Sequence, residues 1–333
     1  MKLSQHIATL CFLALAFTAS SQDGHFTQFY AAPTYLNPAF AGTSVESRLS
    51  ANYRNQWPAI PGAFVTYNFA YDRYLPRIHS GIGIIATHDK AGAGALRSSS
   101  VGAQYSYEVA IRRDVFFLPA LQMSYTNHSV NFSDLVFGDQ LIRDGAETSL
   151  EAGIEPVNYL DFSSGALVFS PSYWAGVSIH HMNQPNQSFY PGHIARIPRK
   201  ISAHGGYRFK MKGGAYSKSK SYVVTAANYK HQGDFDQLDL GAYYELNPLT
   251  LGLWYRGLLL KSNDYGYINQ DALSLIVGFQ SEQVKIGYSF DVTLSQLNVG
   301  FSGGAHEISF SYEWAGKQSR RMARKRIVPC AKF

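Results

Sequence analysis

From Val284 to Val292 the chain alternates without a break. Val284, Ile286, Tyr288, Phe290 and Val292 fall on one side, Lys285, Gly287, Ser289 and Asp291 on the other. Successive side chains of a strand point to opposite faces, so this period of two predicts a β-strand with one wholly apolar face. The same period sets Ile308, Phe310, Tyr312 and Trp314 against Glu307, Ser309, Ser311 and Glu313. It also sets Val101, Ala103, Tyr105, Tyr107 and Val109 against Gly102, Gln104, Ser106 and Glu108. Leu238, Leu240, Ala242, Tyr244 and Leu246 form a further register, with Asp239, Gly241 and Glu245 opposite.

Every such run bounded by Gly, Pro, Asn or Asp, taken together, predicts about fourteen strands. They start near Glu46, Gly62, Ser80, Arg97, Val115, Leu160, Ser172, Lys200, Ser221, Asp236, Leu249, Asp271, Gln283 and Glu307. Tight links at Arg112 to Asp114, Ser170-Pro171, Asn247-Pro248 and Ser281-Glu282 take turns with longer ones. The longer links run around Trp57 to Pro61, Asn131 to Tyr159, Met182 to Arg199, Ser262 to Gln270 and Leu294 to His306. Gly213 to Lys220 is the one long link on the short side.

Only one long apolar run exists. Lys2, the stretch Ile7 to Phe17 and the small residues Ala19-Ser20-Ser21 read as a secretory signal peptide over residues 1–21. Cys11 lies inside that run, which excludes a lipoprotein site, and Cys330 is then the single cysteine of the mature chain. No disulfide framework is available to an exported protein of this kind. Beyond residue 21 nothing approaches the length of a membrane helix. Backbone polar groups in lipid can be satisfied otherwise only by a closed barrel, whose signature is this alternation with short turns at one end and long loops at the other. The expected fold is therefore all-β: a transmembrane antiparallel β-barrel of about fourteen strands. A soluble sandwich or propeller also alternates. Against these, aromatic residues such as Tyr312 and Trp314 gather at the ends of apolar faces, where membrane girdles belong, and no repeat of fixed period is visible.

Composition supports this reading. Of 333 residues only 16% are charged, and 29 Gly, 23 Tyr and 21 Phe suit strands and turns better than helices. The chain divides into the signal peptide, an arm or plug over residues 22–45, a barrel over 46–316 and a basic tail over 317–333. The arm carries Phe26, Phe29, Tyr30, Tyr35, Leu36 and Phe40 without alternation, so it is expected to pack against something, with the barrel mouth the favoured place. Much of the net charge of +6 sits in the tail, at Lys317, Arg320, Arg321, Arg324, Lys325 and Arg326. An even strand number puts both termini in the periplasm, where this block could meet an acidic partner or lipid head groups. No nucleic-acid motif accompanies it.

Catalytic patterns fail on context. His306-Glu307 lacks the second histidine of HExxH, since Phe310 stands there, and it lies on a strand. His180 and His181 are expected on opposite faces of a strand, which precludes a shared metal. Gly92-Ala93-Gly94 lacks the Lys and Ser/Thr of a phosphate loop, and the SxxK at Ser217 to Lys220 lies in a solvated turn. The acidic residues Asp134 to Glu155 lack the order of a calcium loop. No catalytic, metal or cofactor site is expected. Two features exceed solubility: Asn52 to Pro58, with Asn55, Gln56, Trp57 and Pro58 at a strand end, and Leu253 to Gly257, with Trp254, Tyr255 and Arg256. Arg256 falls in the luminal register and needs a carboxylate, for which Glu245 and Glu307 are candidates.

The blocks Gln22 to Tyr30, Tyr35-Leu36-Asn37-Pro38-Ala39 with Gly42, and Asn52 to Pro58 resemble the PorP/SprF family of Bacteroidota outer-membrane proteins. So do Phe137-Gly138-Asp139-Gln140, Leu253 to Gly257, Gly303 to Ser309 with His306 and Glu307, and the ending Cys330 to Phe333. Ala305 and Ala331 stand where the family usually has Ser and Pro. The resemblance implies an outer-membrane barrel, without catalysis or cofactor, that serves type IX secretion, gliding motility or the surface attachment of a secreted adhesin. Its implied partners are that secreted protein, the secretion machinery and outer-membrane lipid. The long outer loops, Asn131 to Tyr159 above all, are expected to grip the secreted partner. A small-molecule channel is the competing reading. Inward Tyr243, Trp254, Arg256 and Glu307 speak for a filled lumen rather than an open one.

Overall fold

A computed structural model describes residues 23–92, 96–131, 155–211, 221–262, 268–294, 299–314 and 328–330. Its single sheet has fifteen hydrogen-bonded segments, of which Leu96–Tyr107 and Val109–Arg112 run on as one strand past Glu108, giving fourteen. In chain order these are β1 (Ser47–Gln56), β2 (Phe64–Leu75), β3 (Ser80–Ala91), β4 (the two segments just named) and β5 (Val115–Val130). Next come β6 (Val157–Phe169), β7 (Tyr173–His180), β8 (Lys200–Lys210), β9 (Ser221–Gln232) and β10 (Phe235–Leu246). The last four are β11 (Leu249–Ser262), β12 (Ile268–Gln280), β13 (Val284–Thr293) and β14 (Ala305–Trp314). Each strand pairs antiparallel with its chain neighbours, and β1 pairs with β14, so the sheet closes and no edge is left. Ser80, Val115, Lys200, Ser221 and Leu249 begin strands where the alternation and turn residues place them.

Alternation determines which side chains meet lipid. Tyr67, Phe69, Ile82, Ile84, Leu121, Met123, Leu253, Leu275 and Val277 are exposed on the outside. Their sequence neighbours, mostly Ser, Thr, Asn, Gly and charged residues, are buried inside. At the short-turn end Tyr71, Trp314 and Tyr312 stack in a row, as a girdle requires. No described helix is long and apolar enough to cross a membrane.

The lumen is filled by the chain's own arm. From Asp23 at the loop end it descends through α1 (Pro33–Leu36) and a 3-10 turn (Pro38–Phe40) to β1 at the short-turn end. Phe26, Phe29, Tyr30, Leu36, Ala39 and Phe40 are all buried. An irregular segment leaves backbone groups unpaired, and the luminal wall supplies their partners. Gln104 Nε2 donates to Thr34 O at 2.8 Å, Ser178 Oγ to Leu36 O at 3.0 Å, and Ser106 Oγ to Ala41 O at 2.7 Å. Asn37 caps the turn by accepting from Ala39 N, while its amide donates to Val177 O at 3.0 Å. Pro38 then starts the turn with φ preset. That geometry gives the Asn37-Pro38-Ala39 block its physical purpose. Gly81 lets the arm approach the wall, since a Cβ there would lie 2.1 Å from Ala41 O.

Val328 and Cys330 are buried in the same apolar cluster as Tyr30, Phe40, Trp174 and Tyr243, so residues 328–330 lie in the lumen. Arg320, Arg321, Arg324, Lys325 and Arg326 lie outside the described residues.

Candidate functional site

The loop-end half of the lumen is a charged network built around the start of the arm. Arg54 on β1 holds Asp291 of β13 at 2.8 Å and Glu307 of β14 at 3.3 Å. Arg256 on β11 holds Asp239 of β10 at 2.9 Å and Asp291 at 3.3 Å. The arm is tied into both arginines. Thr27 Oγ1 accepts from Arg54 at 2.8 Å and Arg256 at 3.0 Å and donates to Asp291 at 2.7 Å. The Glu307 carboxylate receives the backbone N–H groups of Thr27 at 2.7 Å and Gln28 at 3.0 Å. Such charge-assisted bonds to fixed backbone donors fasten the arm in one register.

A second tie lies at Asp23, which accepts from Lys200 at 2.6 Å and His181 at 2.9 Å, while His181 also reaches Asp161 at 3.0 Å. Burial alone would raise the Asp23 carboxyl, but Lys200 and His181 outweigh it and hold the group well below its ordinary range. Burial alone would lower His181; the Asp23 and Asp161 carboxylates outweigh it and push the imidazole up to about 9. His25 has no such partner. Burial, with Arg256 and Arg54 nearby, drives it well below the usual histidine value and keeps it neutral.

Above the arm, at the loop end, lies a cavity of about 530 Å³. Asp23, Gly24, His25 and Tyr35 line it from the arm, and Arg54, Gln56, Trp57, Phe64, Thr66, Asp89, His128 and Tyr159 from the wall. Trp57 has φ 60°, an unusual value for a bulky residue and one that marks functional sites. Its N–H is held by Gly304 O at 2.8 Å.

The predicted residues separate accordingly. Gln56 and Trp57 line the vestibule, Pro58 is exposed beside it, and Asn55 shares a strand pairing with His306 on the opposite, outward face. Arg256 and Glu307 enter the network, but Arg256 is not paired by Glu245 or Glu307. Its partners are Asp239 and Asp291, with Asp271 at 3.7 Å, because Glu307 serves Arg54 and Glu245 binds Arg208 at 2.6 Å near the other end. Trp254 is luminal, edge-on to Phe29 at 4.7 Å, whereas Tyr255 faces outward. His306 is outside, bonded to Tyr288 Oη at 2.7 Å, so it and Glu307 cannot act together. His180 and His181 do not sit on opposite faces: His181 turns back at φ 56°, so its ring joins luminal Asp23 and Asp161. Asp139, Gln140, the acidic loop as far as Glu151 and the Ser217 to Lys220 turn lie outside the described residues. Among the described residues no group of His, Cys, Asp and Glu could hold a metal.

Asp23, Asp89, Asp161, Lys200 and Asp291 were not among the expected site residues. For the four on strands the signal is a charge in luminal register among Gly and Ser, which is visible along one strand, whereas the pairing between distant strands is not; Asp23, on the irregular arm, carries no such signal.

A closed fourteen-stranded sheet with an apolar exterior and a polar, self-plugged interior defines an outer-membrane β-barrel. The sequence profile of the PorP/SprF type IX secretion system membrane proteins matches residues 18–312, and the chain belongs to that family. The protein is accordingly an outer-membrane component of type IX secretion. No curated protein matches it. Among solved structures it is similar to a deletion mutant of the TodX monoaromatic hydrocarbon channel, with 11% identity over 85% of this chain and 94% of that one, TM-score 0.47. The Pseudomonas putida toluene transporter TodX gives 9% identity over 84% and 93%, TM-score 0.44. The KdgM porin gives 7% over 80% and 99%, TM-score 0.36.

Proposed function

We propose that the protein is a non-enzymatic barrel that holds a secreted polypeptide, an adhesin or similar cargo, at the cell surface during or after its export by the type IX machinery. The observation that carries this reading is the tie of the arm into Arg54, Arg256, Asp291 and Glu307, which occupies the space a conduit would need. A barrel so filled presents its surroundings with two ends rather than a path. The loop end carries the vestibule and exposed apolar residues off the strands, such as Tyr190, Ile194 and Phe301, as a protein-binding surface does. The periplasmic end, with the basic tail, is the side for contact with the machinery. Gliding would follow in a cell whose retained cargo is a motility adhesin.

The channel reading has the opposite requirement. Tyr243, Trp254 and Trp174 pack with the arm in one buried cluster across the lower lumen, in the path a permeating molecule would take. The experiment is to delete the gene and compare cell-surface and culture-medium proteins by mass spectrometry. Loss of a particular surface protein, restored by the intact barrel, is the expected result. An unchanged surface proteome combined with altered uptake of a small solute would reverse the assignment.

A further inference from the structure

Among the described residues, the luminal charges near the vestibule are matched with one exception. Arg54 and Arg256 are matched by Asp291, Glu307 and Asp239, Lys230 by Asp239 at 3.3 Å, and Lys200 and His181 by Asp23 and Asp161. Asp89, on β3 and half-buried in the vestibule wall, accepts a hydrogen bond from Thr66 and has no cation within ion-pair distance among the described residues. A carboxylate facing a partly desolvated cavity without a counter-charge is a site that favours a cation.

Its surroundings favour the same ligand. Phe64 lies two residues before Thr66 on β2, and so on the same side of the wall. Phe64 meets Trp57 edge-on, with centroids 5.4 Å apart and planes at 85°. An edge-on pair leaves ring face open, and Phe64 is exposed while Trp57 is half-buried. Tyr35 and Tyr159 line the same cavity from the arm and from β6. Aromatic faces beside a carboxylate attract organic cations through the ring quadrupole. The volume, about 530 Å³, is in the range of pockets that enclose a drug-sized ligand, here a few residues of extended chain.

We propose that the vestibule is a docking cup for a lysine or arginine side chain carried on an extended segment of the secreted polypeptide, with Asp89 pairing the cation and Trp57 and Phe64 packing on its stem. This rests on the cargo-holding reading above and names what that site recognises.

The test uses the full-length barrel in detergent and end-blocked hexapeptides that differ only in one central lysine, arginine, glutamine or glutamate. Binding is followed by calorimetry and tryptophan fluorescence. The lysine and arginine peptides are expected to bind about tenfold or more tightly than the glutamine peptide, and the glutamate peptide least. Asp89→Asn should bring lysine and arginine down to the glutamine level, and Phe64→Leu should weaken them while leaving the order intact. Both variants are checked for an unchanged β-sheet spectrum and heat-modifiable mobility; if Asp89→Asn fails that check, Asp89→Glu, expected to keep the preference, replaces it beside Phe64→Leu. Equal binding of all four peptides, no binding, or full lysine preference in Asp89→Asn would overturn the proposal. Failure of the cargo-holding reading would show separately, as an unchanged surface proteome in the deletion strain.

Discussion

Between Asp23 and Gln28 the arm is held by ion pairs and charge-assisted hydrogen bonds to Lys200, His181, Arg54, Arg256, Asp291 and Glu307. Between Phe29 and Phe40 it is held mainly by burial against Trp254, Trp174, His204 and the apolar wall of β5 and β6, with neutral hydrogen bonds from Gln104 and Ser178 to its carbonyls. The two halves do different physical work. Apolar burial in the lower half is non-directional and drives the arm inside. Burial alone does not fix depth; in this half the hydrogen bonds of Gln104 to Thr34 O, Ser178 to Leu36 O and Asn37 to Val177 O do so. The upper network contributes less net stability for its size, since every buried charge has lost its hydration. It does require one register, because Thr27 must meet both arginines while the Thr27 and Gln28 amides meet one carboxylate.

The largest effect is expected from splitting the network. Asp291→Ala leaves Arg54 and Arg256 short of their shared carboxylate and should destabilise the barrel by about 3–5 kcal/mol, read as the urea midpoint in lipid vesicles. Replacing the charged groups together by apolar residues of similar volume should cost far less, which separates specificity from stability. In the lower half, Phe40→Ala removes a ring stacked on His204 at 5.3 Å and should cost about 3 kcal/mol. The arm should nonetheless keep its register, with the Thr27 amide still protected from hydrogen exchange. If exchange at Thr27 rises as much in Phe40→Ala as in Asp291→Ala, the division of labour is wrong.

The upper tie is also the pH-sensitive one. His181 is raised in the folded protein to about 9, so its contribution is fully present below its unfolded value near 6.5 and is lost as pH rises through about 9. Asp23 is depressed, so its contribution is present above about 4 and fades only under acid. Proteolysis of the arm should therefore increase from pH 7 to pH 10 while the barrel stays intact, and His181→Gln should flatten that profile. The smallest effect belongs to Arg73 and Glu46, an exposed pair 3.1 Å apart at the short-turn end: Glu46→Gln should shift stability by less than about 1 kcal/mol.

Much of the barrel was legible because its signal is local. Alternation at Val284 to Val292 and Ala305 to Trp314 reports lipid on one side and lumen on the other, and strand starts such as Ser80 and Ser221 follow from turn residues beside them. The luminal fate of Tyr243, Trp254 and Glu307 could be read from parity alone. The partners of Arg256 could not, because closure brings β10, β11 and β13 around one point, and the choice of Asp239 and Asp291 over Glu245 depends on height in the barrel rather than on parity. His181 escaped for another reason. One residue at positive φ reverses the face that alternation assigns. The tail shows the same limit, since nothing in a basic run tells that Val328 and Cys330 beyond it return to the core.

The central claim is that the arm, packed against the luminal residues of the wall, closes the lumen, and that its removal opens it. Single-channel recording in planar bilayers tests it most directly, comparing the intact barrel with one in which a protease site placed after Thr43 allows residues 23–43 to be cut free and washed out. The account predicts a silent intact barrel and a steady, voltage-independent conductance after the arm is removed. A steady conductance from the intact barrel, or silence after verified loss of the arm, would contradict it.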